Sequence, residues 1–217
     1  MDQLTYVLPH LKQSLSILFG LLGSWGYLIL FLIIFAETGL VVFPWLPGES
    51  LIFFAASLAS LPSSSLRMSL LVPTFFFAAL IGDIVNYYIG RYLTHWQWMN
   101  KKINGPNLAS ARKYFDQYGG MAVVFGRFVP LIRTFIPLVA GIANLNLTRF
   151  TFATVVGVAI WVALASILGY YFGSLPFVQQ HYALIVLLII LVAMLPAICT
   201  LIIHLIRRHI IKRNKMM

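Results

Sequence analysis

Polar residues are so sparse along this chain that they divide it into long apolar runs of membrane-span length. Trp25–Val42, Leu70–Leu93, Phe150–Phe172 and Tyr182–Ile206 each come close to the roughly 20 apolar residues that a helix needs to cross a bilayer. The first run can begin earlier, near Leu15. Two further apolar stretches carry proline where a straight helix would not. Phe43–Leu61 opens with Pro44, Pro47 and Gly48, and Met121–Leu145 contains Pro130, Pro137 and Gly141. Proline lacks a backbone N–H and its ring clashes with the preceding turn, so paired prolines favour broken helices. Broken backbone survives at membrane depth only where protein or a wet cavity covers it. Both stretches are therefore predicted to be re-entrant helical hairpins, broken at those six positions. The predicted class is an all-α integral membrane protein with about four spanning helices and two re-entrant hairpins.

Composition agrees without any motif. Of 217 residues, 61% are hydrophobic and 9% charged, against roughly 25% charged in a soluble domain. The net charge of +10 raises nucleic acid as a partner, but the charge follows topology instead. Lys101, Lys102, Arg112 and Lys113 share one loop, and Arg207, Arg208, Lys212, Arg213 and Lys215 share the tail. Both are predicted to be cytoplasmic, while loops 62–69 and 174–181 carry only Arg67 and face outward. Residues 1–24 read as a retained membrane-entry segment, 25–206 as one transporter domain and 207–217 as a basic cytoplasmic tail. The lone Cys199 excludes an internal disulfide and a thiolate metal cluster. The five histidines are scattered, and no Ser/His/Asp set shares a depth. Neither metal, cofactor nor enzymatic activity is expected.

A repeat organises the spans. Tyr87-Tyr88-Ile89-Gly90 recurs as Tyr170-Tyr171-Phe172-Gly173, an offset of 83 that also places Pro47 on Pro130. Glu49 falls one residue short of Arg133. The matching spans run in opposite directions, so the repeat is inverted, as in transporters whose discontinuous helices meet near the bilayer midplane. Chance similarity between two apolar helices is the competing explanation.

The charges inside the apolar runs point to chemistry. Glu37, Glu49 and Asp83 lie in or beside them, as do Arg127 and Arg133. Each costs about 2.5–3.5 kcal/mol at the centre of a membrane helix, so they should face one another or a wet cavity. On a straight helix Glu37 and Glu49 would stand about 18 Å apart; breaks at the prolines fold them together. Such pairs can simply lock helices together. Clustered on two broken segments, they instead suggest an oxyanion site of two arginines, with the acids as proton carriers. All five ionised sum to −1 before any anion enters, so a carboxylate should take up a proton when one binds. Asp83 reads equally well as a structural hydrogen-bonding group near Asn86.

Three blocks, "FAETGLVVFPWLPGES" (35–50), "GDIVNYYIGR" (82–91) and "GRFVPLIRTFIPLVAG" (126–141), resemble the signature of the DedA family of bacterial inner-membrane proteins. That family shares its domain with SNARE-associated and VTT-type lipid scramblases. The resemblance spans residues 15–206 and implies lipid transport. Family members are described as flippases of undecaprenyl phosphate, and others are linked to proton-motive-force maintenance and alkaline tolerance. It implies that Arg127 and Arg133 hold a lipid phosphate and that Glu37 and Glu49 are essential acids. The second acid is aspartate in many members and glutamate here. The expected activity is a proton-linked flippase of the cytoplasmic membrane, acting on a polyprenyl phosphate or phospholipid. A homodimer is left open. The rivals are a proton-coupled antiporter for a small solute or cation, a broad phospholipid scramblase, and an assembly factor whose ion pairs only brace helices.

Overall fold

A computed structural model of the chain describes residues 22–39, 48–61, 64–94, 113–129 and 132–180. The entry segment up to residue 21, Pro44, Pro47, Pro130, the Glu49 side chain, the predicted span Tyr182–Ile206 and the basic tail lie outside them. So does most of the basic loop. The described residues are helical, with no strand among them. In order they form α1 (Ser24–Gly39), α2 (Gly48–Ala59), α3 (Met68–Leu93), α4 (Gly120–Gly126), α5 (Ile132–Ile142), α6 (Leu147–Ser174) and α7 (Pro176–Gln180).

Among these, α3 and α6 are long and apolar enough to cross a membrane. At 1.5 Å per residue they measure about 39 and 42 Å, against a hydrocarbon core of about 30 Å. The side chains of α3 are distributed as lipid requires. Leu71, Phe75, Ala78, Gly82, Asn86 and Gly90 are buried at spacings of three and four, with Asp83 beside Gly82 on the same face. Leu70, Phe77, Ile81 and Ile89 point outward and are exposed. Asp83 and the Asn86 amide thus face the bundle and alkyl groups face the surroundings, while the exposed Arg91 sits in the last turn.

The helices meet through glycine. Lipid offers no hydrophobic drive for helix association, so close packing of small residues takes its place. Where α1 crosses α3, a Cβ on Gly39 would lie 3.1 Å from the Gly82 Cα. α5 packs on α3, where Cβ atoms on Gly90 and Gly141 would fall 2.1 Å from the Leu138 oxygen and 2.0 Å from the Tyr87 oxygen. α2 packs on α6, where Gly169 and Gly173 meet the Phe53 and Ser57 backbone as closely. Gly141→Ala is expected to lower the melting temperature in detergent. Alanine gains about 1 kcal/mol of helix propensity, but separating two backbones costs about 1–3 kcal/mol or more. An unchanged melting temperature would contradict so close an α3–α5 contact.

Two breaking positions behave differently from expectation. Pro137 lies inside α5 and does not interrupt it. A proline ring weakens the hydrogen bonds of the turn before it, and here the Asn86 side chain donates to the Thr134 carbonyl in that turn (2.9 Å). Membrane helices tolerate proline on these terms. Gly141 is also helical and serves the close approach to Tyr87. The chain turns three residues later, at Asn144, whose φ of 58° is left-handed. The break in this segment lies between α4 and α5. Gly48 opens α2, after the gap that follows α1.

Two apolar clusters sandwich a polar layer. One joins α1, α2, α3 and α6 around Ile34, Ile52, Phe75 and Val162. The other joins α3, α4, α5 and α6 around Tyr87, Val123, Ala140 and Phe150. Along α3 the order is Phe75, Ala78 and Ala79, then Asp83 and Asn86, then Tyr87. The buried charges therefore lie between two seals.

Candidate functional site

Each charged side chain is delivered by a helix end or a glycine crossing. Glu37 and Thr38 sit in the last turn of α1, where the Thr38 hydroxyl donates to the Ile34 carbonyl (2.9 Å). Gly82 lets that turn lie against α3, since a Cβ there would stand 2.0 Å from Thr38 Oγ1. Asp83 is the next residue. One turn on, Asn86 Nδ2 donates to the carbonyls of Thr38 (3.3 Å) and Thr134 (2.9 Å). This one amide ties α1 and α5 to α3.

The arginines flank the second break. Arg127 follows α4 and Arg133 stands in the first turn of α5. Arg127 Nη1 donates to Asp83 Oδ2. Arg133 Nη2 donates to Glu37 Oε1 at 2.7 Å. Both guanidinium groups lie over the indole of Trp161, 5.1 and 5.2 Å from its centroid. Cation–π contacts of this kind are worth about 2 kcal/mol when desolvated. Arg127 also packs beside Gly157, one turn before Trp161, its Cδ 3.6 Å from where a Cβ would stand.

Four of the five predicted residues thus converge. The fifth, Glu49, has its side chain outside the described residues, but its backbone neighbour bears on the prediction. A Cβ on Gly48 would lie 1.5 Å from Glu37 Oε2. The chain therefore lies against Glu37 one residue before Glu49. Asp83, which the sequence left undecided, pairs with Arg127, and Asn86 makes the structural hydrogen bonds.

The arrangement differs from an open arginine fork. Each arginine already holds a carboxylate, so an incoming anion must compete with Glu37 and Asp83. The cavity between Glu37, Thr38, Asp83, Arg127, Arg133 and Thr134 has room for about one water molecule. Donor capacity nevertheless remains, because a guanidinium carries five N–H groups. Arg127 Nε is buried without a hydrogen-bond partner among the described residues. No group of three potential metal ligands occurs among them either. Sequence reasoning missed Trp161. The available signal was its place in mid-span, far from the interfacial belt where membrane tryptophans gather.

Comparison with known proteins identifies the family. The VTT domain family matches residues 9–171. Protein DedA of Escherichia coli K12 is 40% identical over 198 residues, 90% of each chain. The uncharacterized membrane protein Rv0364 of Mycobacterium tuberculosis is 34% identical over 182 residues, 82% of this chain and 80% of its own. The inner membrane protein YqjA of Escherichia coli K12 is 32% identical over 154 residues, 69% of each. No solved structure matches the chain. Its long apolar helices, its inward-facing charges and its similarity along nearly the whole length lead to one conclusion: the chain is a membrane protein of the DedA family, built on the VTT domain.

Proposed function

We propose that this protein is a transporter of the bacterial inner membrane that moves a lipid phosphate, undecaprenyl phosphate being the best fit, between leaflets with proton linkage. The observation that carries the reading is the pair of arginine–carboxylate bridges meeting on one indole. An anionic head binds by taking Arg133 from Glu37 and Arg127 from Asp83. Each released carboxylate is then buried without its counter-charge and takes up a proton. Arg133 keeps 18% side-chain exposure against 9% for Arg127, so the head meets Arg133 first. Trp161 continues to hold both cations while their partners change. The polyprenyl tail stays in the bilayer throughout.

An inverted repeat of four spans and two hairpins supplies the motion. It is supported by the way α5 packs on α3 through Gly90 while α2 packs on α6 through Gly173, the glycines that the 83-residue offset superposes. In this reading residues 25–206 form the transport domain, and the 94–118 segment, in which residues 113–118 are helical and not loop as predicted, is cytoplasmic together with the tail. The small cavity favours a second reading, a proton-coupled antiporter for a small solute or cation.

Reconstitution into liposomes with a fluorescent short-chain polyprenyl phosphate tests the first reading. Flipping should exceed that of protein-free liposomes and respond to an imposed pH gradient. Flipping at the protein-free rate, beside cation-driven proton flux, would replace it with the second.

A further inference from the structure

A second cavity lies away from the charged layer, at the far end of the same two long helices. It is an open groove of about 360 Å³ lined by Ala59, Leu66, Arg67, Met68, Ile167, Tyr170 and Tyr171. We propose that this groove is a binding site for the anionic headgroup of a membrane phospholipid.

The loop that carries Arg67 is fixed while its charge is left available. Leu66 is buried beside it. The Ser64 hydroxyl accepts from the Leu66 N–H at 3.2 Å, and the Tyr27 hydroxyl of α1 accepts from the Arg67 N–H at 2.9 Å. Backbone and neighbour are thus anchored, but the Arg67 side chain is exposed. Among the described residues it makes no ion pair, and no carboxylate lines the groove. A guanidinium carried on an anchored backbone, with no ion pair among the described residues, selects an anion, and its planar donors match phosphate.

The remaining lining selects an amphiphile over a free ion. Leu66, Met68 and Ile167 offer alkyl surface, and Tyr170 and Tyr171 are the amphipathic rings that settle at headgroup level. Depth agrees. Met68 starts α3 and Asp83 lies about 22 Å further along the axis. With the charged layer near mid-membrane, the groove therefore sits at headgroup level. The volume is within the range of about 300–1,000 Å³ usual for small-ligand sites. Binding here does not depend on the transport reading; use of the groove as a loading station for the central arginines does rest on it.

Lipid retention measured by native mass spectrometry, from vesicles of phosphatidylglycerol and phosphatidylcholine, tests the proposal. Wild type should retain phosphatidylglycerol in preference. Arg67→Gln should lower that preference about tenfold, the loss of one charge-assisted hydrogen bond. Arg67→Lys should keep part of it, which also covers a failure of the Gln variant to fold. Arg149→Gln, an exposed cation at the other end of α6, should change nothing. Equal preference in wild type and Arg67→Gln, or an equal fall in Arg149→Gln, would overturn the site. Displacement of the lipid by millimolar inorganic phosphate would overturn the lipid as its ligand. Flipping assayed in the same preparations separates the two readings. Arg67-dependent retention without flipping leaves the groove and removes the transporter. Flipping with Arg67-independent retention does the opposite.

Discussion

Asp83→Asn is expected to lose roughly 10 °C of melting temperature, and replacing Arg127 as well is expected to restore most of it. Asp83 and Arg127 are both buried, on α3 and at the end of α4, between the two apolar clusters. Removing one member leaves a guanidinium in a low-dielectric layer without its counter-charge. Breaking a buried pair in this way costs about 3–5 kcal/mol, and each kcal/mol lowers the melting temperature of a chain this size by about 2–4 °C. The double variant Asp83→Asn with Arg127→Gln removes both charges, and neutral replacement of a buried pair is often without cost. Stability should therefore return while transport does not. Thermal unfolding followed by size-exclusion fluorescence checks the first part, and liposome flipping checks the second. An Asp83→Asn variant that melts with wild type would mean that the bridge contributes nothing to the fold.

The second large effect belongs to Arg133→Lys, where binding and stability should separate. Lysine keeps the charge opposite Glu37 and can remain near the Trp161 ring, so folding should be close to wild type. What it loses is the planar fork of donors that passes from Glu37 to an incoming phosphate oxygen. Losing a charge-assisted hydrogen bond costs about 1.5–3 kcal/mol, roughly a ten- to hundredfold weaker affinity for a short-chain polyprenyl phosphate. Arg133 is the more accessible of the two arginines, with 18% of its side chain exposed against 9%, so its variant should show the larger binding loss. Arg127→Lys, deeper in the layer, should show the larger stability loss. Purified variants compared by lipid titration and melting temperature decide the matter. Wild-type affinity in Arg133→Lys, with collapsed stability in Arg133→Ala, would make the bridge a brace and not a binding site.

Much of the site was legible because membrane sequences punish ionisable residues. With a cost of about 2.5–3.5 kcal/mol for each charge at mid-membrane, Glu37, Asp83, Arg127 and Arg133 stood out and had to be sheltered together. The two long spans were legible for a related reason. A backbone crossing lipid must satisfy its own hydrogen bonds, so an apolar run of sufficient length has one solution. The prolines were less reliable guides. Pro137 carries the same local penalty as any proline, yet the Asn86 amide of another helix reaches the turn it disturbs. Local sequence contains no sign of such a partner.

The sequence by itself determined that this chain is a membrane protein, where its apolar runs lie and which charges must shelter one another. These follow from transfer free energies that each residue carries with it. Only the tertiary structure decided who pairs with whom: Asp83 with Arg127, Glu37 with Arg133, and both arginines over Trp161. Pairing depends on helix crossings, and those are set by glycines such as Gly39 and Gly82 that act through the absence of a side chain. How close two backbones can come is a property of both surfaces at once, so neither segment encodes it alone.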